Sequence, residues 1–362
     1  MKKILFYIAQ DYYWASLKPV YDEFANTGDY DLQLMPGKNS RRLLGVFLIS
    51  QKKKLEKKYS DFGYKITRET NGIDAVFCGA QIKNPERFGD ALLCNVDHGP
   101  GIKTLRYRHF LKQPDTKYIC FIEGQYRAEK FKKYGLDKIE EIYDVGLPKL
   151  DVFFNGYFNR KGLISGWKLD PEKKTILYAP SYKPTSIFMI GEQTARLSEK
   201  YNVIVKLHPY SWTGKYAPHS QHIFFEKLAL KYPHMYLVPQ EKHDIMPFMF
   251  AADTMISDGS SVINEFLSLE RCGIIVDLDD DSLSHHDGQP LLEDKSSEWL
   301  KDSFVHISSA DEQESAVEAA LNPSEQRKAQ IKKDKQYIFS YTDGFSAKRV
   351  KEKTDELLKI KG

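Results

Sequence analysis

MISDGSSVINEF, running from Met255 to Phe266, reads as a single βα unit: a short apolar strand ending in Asp258, a turn of Gly259, Ser260 and Ser261, and a helix starting near Val262. The same grammar repeats on both sides of it. TILYAP (Thr175 to Pro180), NVIVKLHP (Asn202 to Pro209), MYLVP (Met235 to Pro239) and GIIVDL (Gly273 to Leu278) are apolar strand patterns with room for a helix between each pair. Strands that alternate with helices build a parallel sheet, because each crossover returns the chain to the edge where the last strand began.

A second series lies upstream. KKILFYI opens the chain, SLKPVYDEFANTGDYDLQLM follows as helix, glycine turn and strand, and DAVFCGA (Asp74 to Ala80), ALLCNVDHG (Ala91 to Gly99) and YICFIEG (Tyr118 to Gly124) continue it. The stretch FFNGYFNRKGLISGWKLDPEKK, rich in glycine and charge, separates the two series as a connection. The expectation is an α/β protein of two Rossmann-like doubly wound domains, residues 1–160 and 161–345, facing a central cleft. Residues 346–362 form an amphipathic helical pattern that ends the second domain or folds back across the first.

Composition narrows the class. The 362 residues are 41% apolar and 13% aromatic, which suits two globular cores, and no apolar run approaches the roughly 20 residues of a membrane span. MKKILFYIAQDYYW meets Asp11 too soon for a signal peptide and reads as a first strand. Cys78, Cys94, Cys120 and Cys272 show no metal-ligand or disulfide spacing, so a reducing cytosol is expected. A net charge of +3 with no recognised binding motif gives no reason to expect nucleic acid as a partner.

Ligands of doubly wound sheets bind outside the carboxyl ends of the strands, and the polar motifs sit there. In SDGSS, backbone N–H groups at the helix start and the hydroxyls of Ser260 and Ser261 can hold phosphates; an ordinary N-cap explains the same residues. Glu265, one turn on, is a candidate for a ribose hydroxyl or a solvated helix face. His208 closes the apolar strand of NVIVKLHP and is a candidate hydrogen-bond donor to a phosphate oxygen, or a histidine satisfied by backbone. In LLCNVDHGPGIKT (Leu92 to Thr104), His98 has the right chemistry for a general base, and Asp97 beside it either orients it or competes with it. Ser181 and Lys183 in YAPSYKP, and His243 before a short apolar helix, are further donor-site candidates, with a surface loop and a capped core helix as the plain alternatives.

KNSRRLLGVFLISQKKKLEKK (Lys38 to Lys58) carries eight Lys or Arg against one Glu around Leu43, Leu44, Val46, Phe47, Leu48 and Ile49. This is the pattern of a segment lying in an anionic headgroup layer, with Arg41, Arg42, Lys52, Lys53 and Lys54 outward. Arg106 and Arg108 extend the same face. A core helix with a solvated basic end is the alternative.

Taken in order, HGPGIK, VGLPKLD, LYAPSY, VKLHP, ISDGSSVINEF and DGFSAKR resemble the CDP-glycerol glycerophosphotransferase family of teichoic acid and capsule synthesis, across nearly the whole chain. The resemblance implies a GT-B fold and transfer of glycerol phosphate, or a related polyol phosphate, from CDP-glycerol to a lipid-linked or glycan acceptor, with release of CMP. It implies a peripheral place on the inner face of the cell membrane, no metal, and no cofactor beyond the donor itself. The first domain is then acceptor- and membrane-facing, with Gly99 and Lys103 on the acceptor side, and the second binds the donor. His98 looks like the family's general base; His208 and Asp258 look like donor-site residues with catalytic roles, and Ser260 and Ser261 like its phosphate-holding serines. DHGPGIKT departs from the family's usual WHGTPLK, with Asp97 where tryptophan is usual, and Gly259 stands where an aromatic is common. A UDP-sugar glycosyltransferase or a UDP-N-acetylglucosamine 2-epimerase-like enzyme of the same architecture is the alternative reading, and a non-catalytic nucleotide-binding scaffold a third.

Overall fold

The computed structural model describes residues 1–37, 40–43, 47–213, 220–278 and 289–361. The chain forms two compact units. One comprises residues 1–100, 105–155 and 337–362, the other residues 101–104 and 156–336. The GIKT tetrapeptide after His98 therefore belongs to the second unit, and the closing helix, Ser346–Lys361, to the first.

In the first unit β1 (Lys2–Ile8), β2 (Tyr30–Pro36), β5 (Ala75–Cys78), β6 (Leu92–Val96), β7 (Ile119–Ile122) and β8 (Glu141–Asp144) form an all-parallel sheet ordered β2-β1-β5-β6-β7-β8. Strand side chains alternate faces, and both faces are covered. Ile4, Phe6, Ile8, Phe77 and Phe121 pack with Leu17, Val20 and Phe24 of the helix Trp14–Ala25 and with Val350 and Leu358 of the closing helix. Leu5, Val76, Cys78, Cys120 and Ile122 pack on the other side with Tyr107, Phe110 and Phe131. Each such side chain taken fully out of water contributes roughly 1.5–3 kcal/mol, which explains why these strands read as unbroken apolar runs.

The closing helix is tied in through its start. Asp151 Oδ1 accepts the Ser346 N–H at 3.1 Å and Oδ2 the Ala347 N–H at 2.8 Å, so VGLPKLD supplies the cap for the helix that DGFSAKR begins. Gly146 in the same motif has φ +85°, and a Cβ there would stand 2.5 Å from Ser346 Oγ.

The basic stretch forms a two-stranded antiparallel hairpin, β3 (Ser40–Leu43) with β4 (Phe47–Ser50), then a helix Lys52–Asp61 that buries Leu55 and Tyr59 in the core. The helix is thus a core helix with a solvated basic side, on which Lys53 and Lys54 are exposed and Lys52 lies 4.0 Å from Glu56. Arg41 and Arg42 pair by backbone with Ile49 and Leu48; their side chains lie outside the described residues.

The second unit holds β9 (Thr175–Tyr178), β10 (Asn202–Val205), β11 (Met235–Leu237), β12 (Thr254–Ser257), β13 (Ile274–Val276) and β14 (Val305–Ile307), all parallel, in the order β11-β10-β9-β12-β13-β14. β9, β10, β12 and β13 are buried along their whole length. Both sheets are of the doubly wound, Rossmann-like kind that the alternation of strands and helices predicts. β8 and β14 went unread because they are short, partly exposed edge strands with weak apolar signal.

Candidate functional site

Strand order in the second sheet reverses between β9 and β12, so the loops leaving these two strands diverge and open a crevice at their carboxyl ends. Asp258, which follows β12, ties the crevice together. Its Oδ1 accepts the Ser181 N–H at 2.7 Å, and its Oδ2 accepts the Ser186 N–H and Oγ–H, both at 2.9 Å. The carboxylate is fully buried. Burial raises its pKa, against the pull of those hydrogen bonds and of Lys103. With three donors on its oxygens, Asp258 organises the loop after β9 and does not present an open face to a reacting atom.

Lys103, expected toward an acceptor or membrane, lies instead in this second unit. Its Nζ is 3.5 Å from Ser181 Oγ and 5.7 Å from the centre of the Tyr182 ring, and burial lowers its pKa while Asp258 opposes that. The segment carrying it is pinned by Thr104, whose N–H and Oγ–H donate to the Leu291 and Pro290 carbonyls at 3.1 and 2.7 Å.

The Tyr182 ring lies against His208, ring centres 4.6 Å apart and planes tilted by 39°. His208 Nδ1 accepts the Tyr210 N–H at 3.1 Å, so the proton of the neutral ring sits on Nε2. His208 is therefore held as a donor. Ser261 occupies the N-cap of the helix Val262–Leu267 yet makes no side-chain cap bond, and Ser260 beside it is half-buried. Lys183 is exposed, and half-buried His243 follows β11 at the sheet's edge. Glu265 does not fit the ribose role expected of it, because it is fully buried on the inward side of its helix.

In the first unit His98 follows β6. Its Nδ1 is 2.9 Å from the Gly79 carbonyl oxygen and 3.2 Å from Asp97 Oδ1. Both are acceptors, so Nδ1 carries the proton and Nε2 keeps its lone pair. The two histidines thus hold opposite tautomers. The Tyr13 ring lies against His98, centres 4.5 Å apart, and Gly79 makes room for it: a Cβ there would be 3.0 Å from Tyr13 Cγ. Asp11 anchors this turn by accepting from Tyr59 Oη at 2.7 Å and Lys58 Nζ at 2.8 Å.

Arg106 turns inward, contrary to a membrane-facing role. It is paired with the buried Asp97 and donates to Asn95 Oδ1 at 3.0 Å. Arg127 lies 3.5 Å from the same Asp97 oxygen and is held by Glu123 at 2.8 Å. Burial alone would raise the Asp97 pKa; Arg106, the hydrogen bond with His98 and Arg127 outweigh it and hold the carboxyl well below the usual carboxylate range. Arg108 is half-buried and Gly99 buried, whereas His98, at 38% side-chain exposure, is addressed to solvent beside its strand end.

Sequence reasoning missed Tyr13, Gly79, Tyr182 and Arg127. Tyr13 and Gly79 follow the first and third strands of the first sheet, and Tyr182 the first strand of the second, so strand-end position was the signal available for them. Arg127 carried none, because it reaches Asp97 from a helix thirty residues on.

Residues 104–354 match the family described as CDP-Glycerol:Poly(glycerophosphate) glycerophosphotransferase. The teichoic acid glycerol-phosphate primase of Bacillus subtilis (strain 168) is 26% identical over 170 residues, 45% of this chain; the matched stretch spans 40% of that relative's length. The wall teichoic acid polymerase TagF is similar in structure over 99% of this chain and 90% of its own, at TM-score 0.70 and 14% identity. A TagF variant soaked with CDPG gives TM-score 0.69 at 15% identity. An S. aureus MnaA–UDP structure gives TM-score 0.57 at 13% identity, covering 97% of this chain and 95% of its own. By the profile match across most of its length, the chain belongs to the CDP-glycerol:poly(glycerophosphate) glycerophosphotransferase family.

Proposed function

We propose that the protein transfers glycerol phosphate from CDP-glycerol to a hydroxyl of a teichoic-acid-type acceptor and releases CMP. The tautomer of His98, with Nε2 unprotonated at the end of its strand, carries this reading. His98 Nε2, with a free lone pair, takes the proton of the acceptor hydroxyl as its oxygen attacks the glycerol-bearing phosphorus. As that P–O bond forms, the bond from phosphorus to the CMP oxygen breaks. His208 Nε2–H, the Lys103 ammonium and the N–H groups near Ser260 and Ser261 supply positive potential where the phosphates of the donor carry charge.

Membership of the family and the names of its relatives support glycerol phosphate as the group moved. Attachment to the inner membrane face is part of the same proposal, supported by exposed Lys53 and Lys54 beside the basic hairpin and by a Lys/Arg excess over residues 38–58. Among the described residues no helix is long and apolar enough to cross a membrane.

The test is CMP release by the purified protein offered CDP-glycerol, CDP-ribitol or UDP-N-acetylglucosamine with a lipid-linked polyol or glycan acceptor. CDP-glycerol turnover that His98→Ala abolishes is the expected result. Preference for the uridine donor overturns the proposal in favour of a sugar-nucleotide enzyme.

A further inference from the structure

The carboxylate of Asp97 has two oxygens in two different settings. Oδ2 faces the guanidinium groups of Arg106 and Arg127, while Oδ1 accepts the His98 backbone N–H at 2.7 Å and lies 3.2 Å from His98 Nδ1. Behind Oδ2 the arginines are themselves fixed, Arg106 by Asn95 and Arg127 by Glu123 and by the Tyr107 hydroxyl oxygen at 2.6 Å. Asp97 is thus clamped on one edge and presents the other to a single histidine. We propose that Asp97 is the positioning residue of His98, holding its imidazole with Nδ1 protonated and steadying the positive ring that forms when Nε2 takes a proton.

Several elements face His98. Asp97 stands on its own strand end, and Tyr12 and Tyr13 face it from the turn after β1. The loop after β5 contributes the Gly79 carbonyl. Arg106 and Arg127, from two helices, and Glu123 complete the buried group: two cations, Arg106 and Arg127, against two anions, Asp97 and Glu123. Asp97 Oδ1 stands 3.2 Å from His98 Nδ1, whereas Glu123 is paired with Arg127, so Asp97→Asn removes the carboxylate next to the ring N–H and Glu123→Gln does not. The preference of the neutral ring for a proton on Nδ1 then weakens. If Asp97 served only to neutralise Arg106, the state of the imidazole would not depend on it.

The inference rests on the general-base reading of His98, and its test is read by NMR so that it stands without turnover. The full chain is labelled with 15N-histidine, and His98 is assigned by its loss in His98→Ala. The wild type is expected to show Nδ1 protonated and Nε2 bare. Asp97→Asn is expected to bring up the Nε2-protonated tautomer of His98 beside the Nδ1-protonated one, while Glu123→Gln, which removes the same charge from the far side of the cluster, leaves only the Nδ1-protonated form. The kcat for CMP release should fall with that change of tautomer, while KM for CDP-glycerol stays at the wild-type value.

An unchanged tautomer in Asp97→Asn, or a wild-type ring protonated on Nε2, overturns the proposal. An equal shift in Glu123→Gln also overturns it, because the effect would then be general electrostatics. If Asp97→Asn does not fold, Asp97→Asn with Arg106→Gln keeps the cluster neutral and is read in the same way. Absence of CMP release by the wild type would count against the transferase reading alone.

Discussion

His98 Nδ1 stands 2.9 Å from the carbonyl oxygen of Gly79, and this contact, made across two neighbouring strands, leaves Nε2 as the ring's only free acceptor. Replacing His98 by alanine is therefore expected to lower kcat by roughly 10²–10⁴-fold while donor affinity, measured by calorimetry with CDP-glycerol, stays at the wild-type value. Loss of donor binding in His98→Ala would place this histidine in donor recognition instead.

His208 is held the other way round, with Nδ1 accepting from Tyr210 and the proton on Nε2. His208→Phe keeps a ring against Tyr182 and removes the Nε2–H donor together with the Nδ1 acceptor of the Tyr210 N–H. A hydrogen bond to a charged group contributes about 1.5–3 kcal/mol, so donor binding should weaken by roughly 10- to 100-fold. Equal CDP-glycerol affinity in the variant and the wild type would remove His208 from the phosphate site.

Lys103 sits with Ser181 and Tyr182 of the second unit. Lys103→Met preserves the stem and deletes the charge; it should raise KM for CDP-glycerol about tenfold, the scale of one charge-assisted hydrogen bond, and leave flotation with anionic vesicles unchanged. Weaker vesicle binding with normal KM would return Lys103 to the membrane-facing role the sequence suggested.

Asp151 receives two N–H groups of the closing helix. Asp151→Ala should destabilise the first unit by about 1–2 kcal/mol, the usual cost of an N-cap. Thermal unfolding monitored with tryptophan fluorescence checks this, and an unchanged Tm would mean the helix start finds other partners.

Glu140 is buried, with Oε2 accepting the Tyr118 N–H at 2.5 Å, and burial pushes its pKa up to about 7 despite that hydrogen bond and nearby Lys117. The folded state then binds a proton that the unfolded chain, with an ordinary glutamate, has already released. Stability should accordingly fall as pH rises from about 4.5 to about 7. Glu140→Gln should flatten that part of the Tm–pH curve and raise Tm at pH 8; the same slope in both proteins would show that other groups cause it.

The chain's own sequence determined the alternation of strands and helices and the places where polar residues interrupt apolar runs. Burial on both faces requires unbroken apolar strands, and strand ends are where parallel sheets expose polar residues, so β5, β9, β10 and β12 and the motifs around His98, His208 and Asp258 were legible one segment at a time. Tertiary structure alone decided what those polar atoms do. Asp258 became a saturated loop tie, Glu265 went inward, Arg106 turned to Asp97, and Lys103 joined Ser181, because each outcome depends on how the folded backbone places its neighbours. The two histidines look alike in sequence, yet a carbonyl from Gly79 and an N–H from Tyr210 put their protons on opposite nitrogens. Local pattern encodes periodicity and burial, whereas a tautomer or a charge pair is set by a hydrogen-bond partner that only the folded backbone brings within about 3 Å.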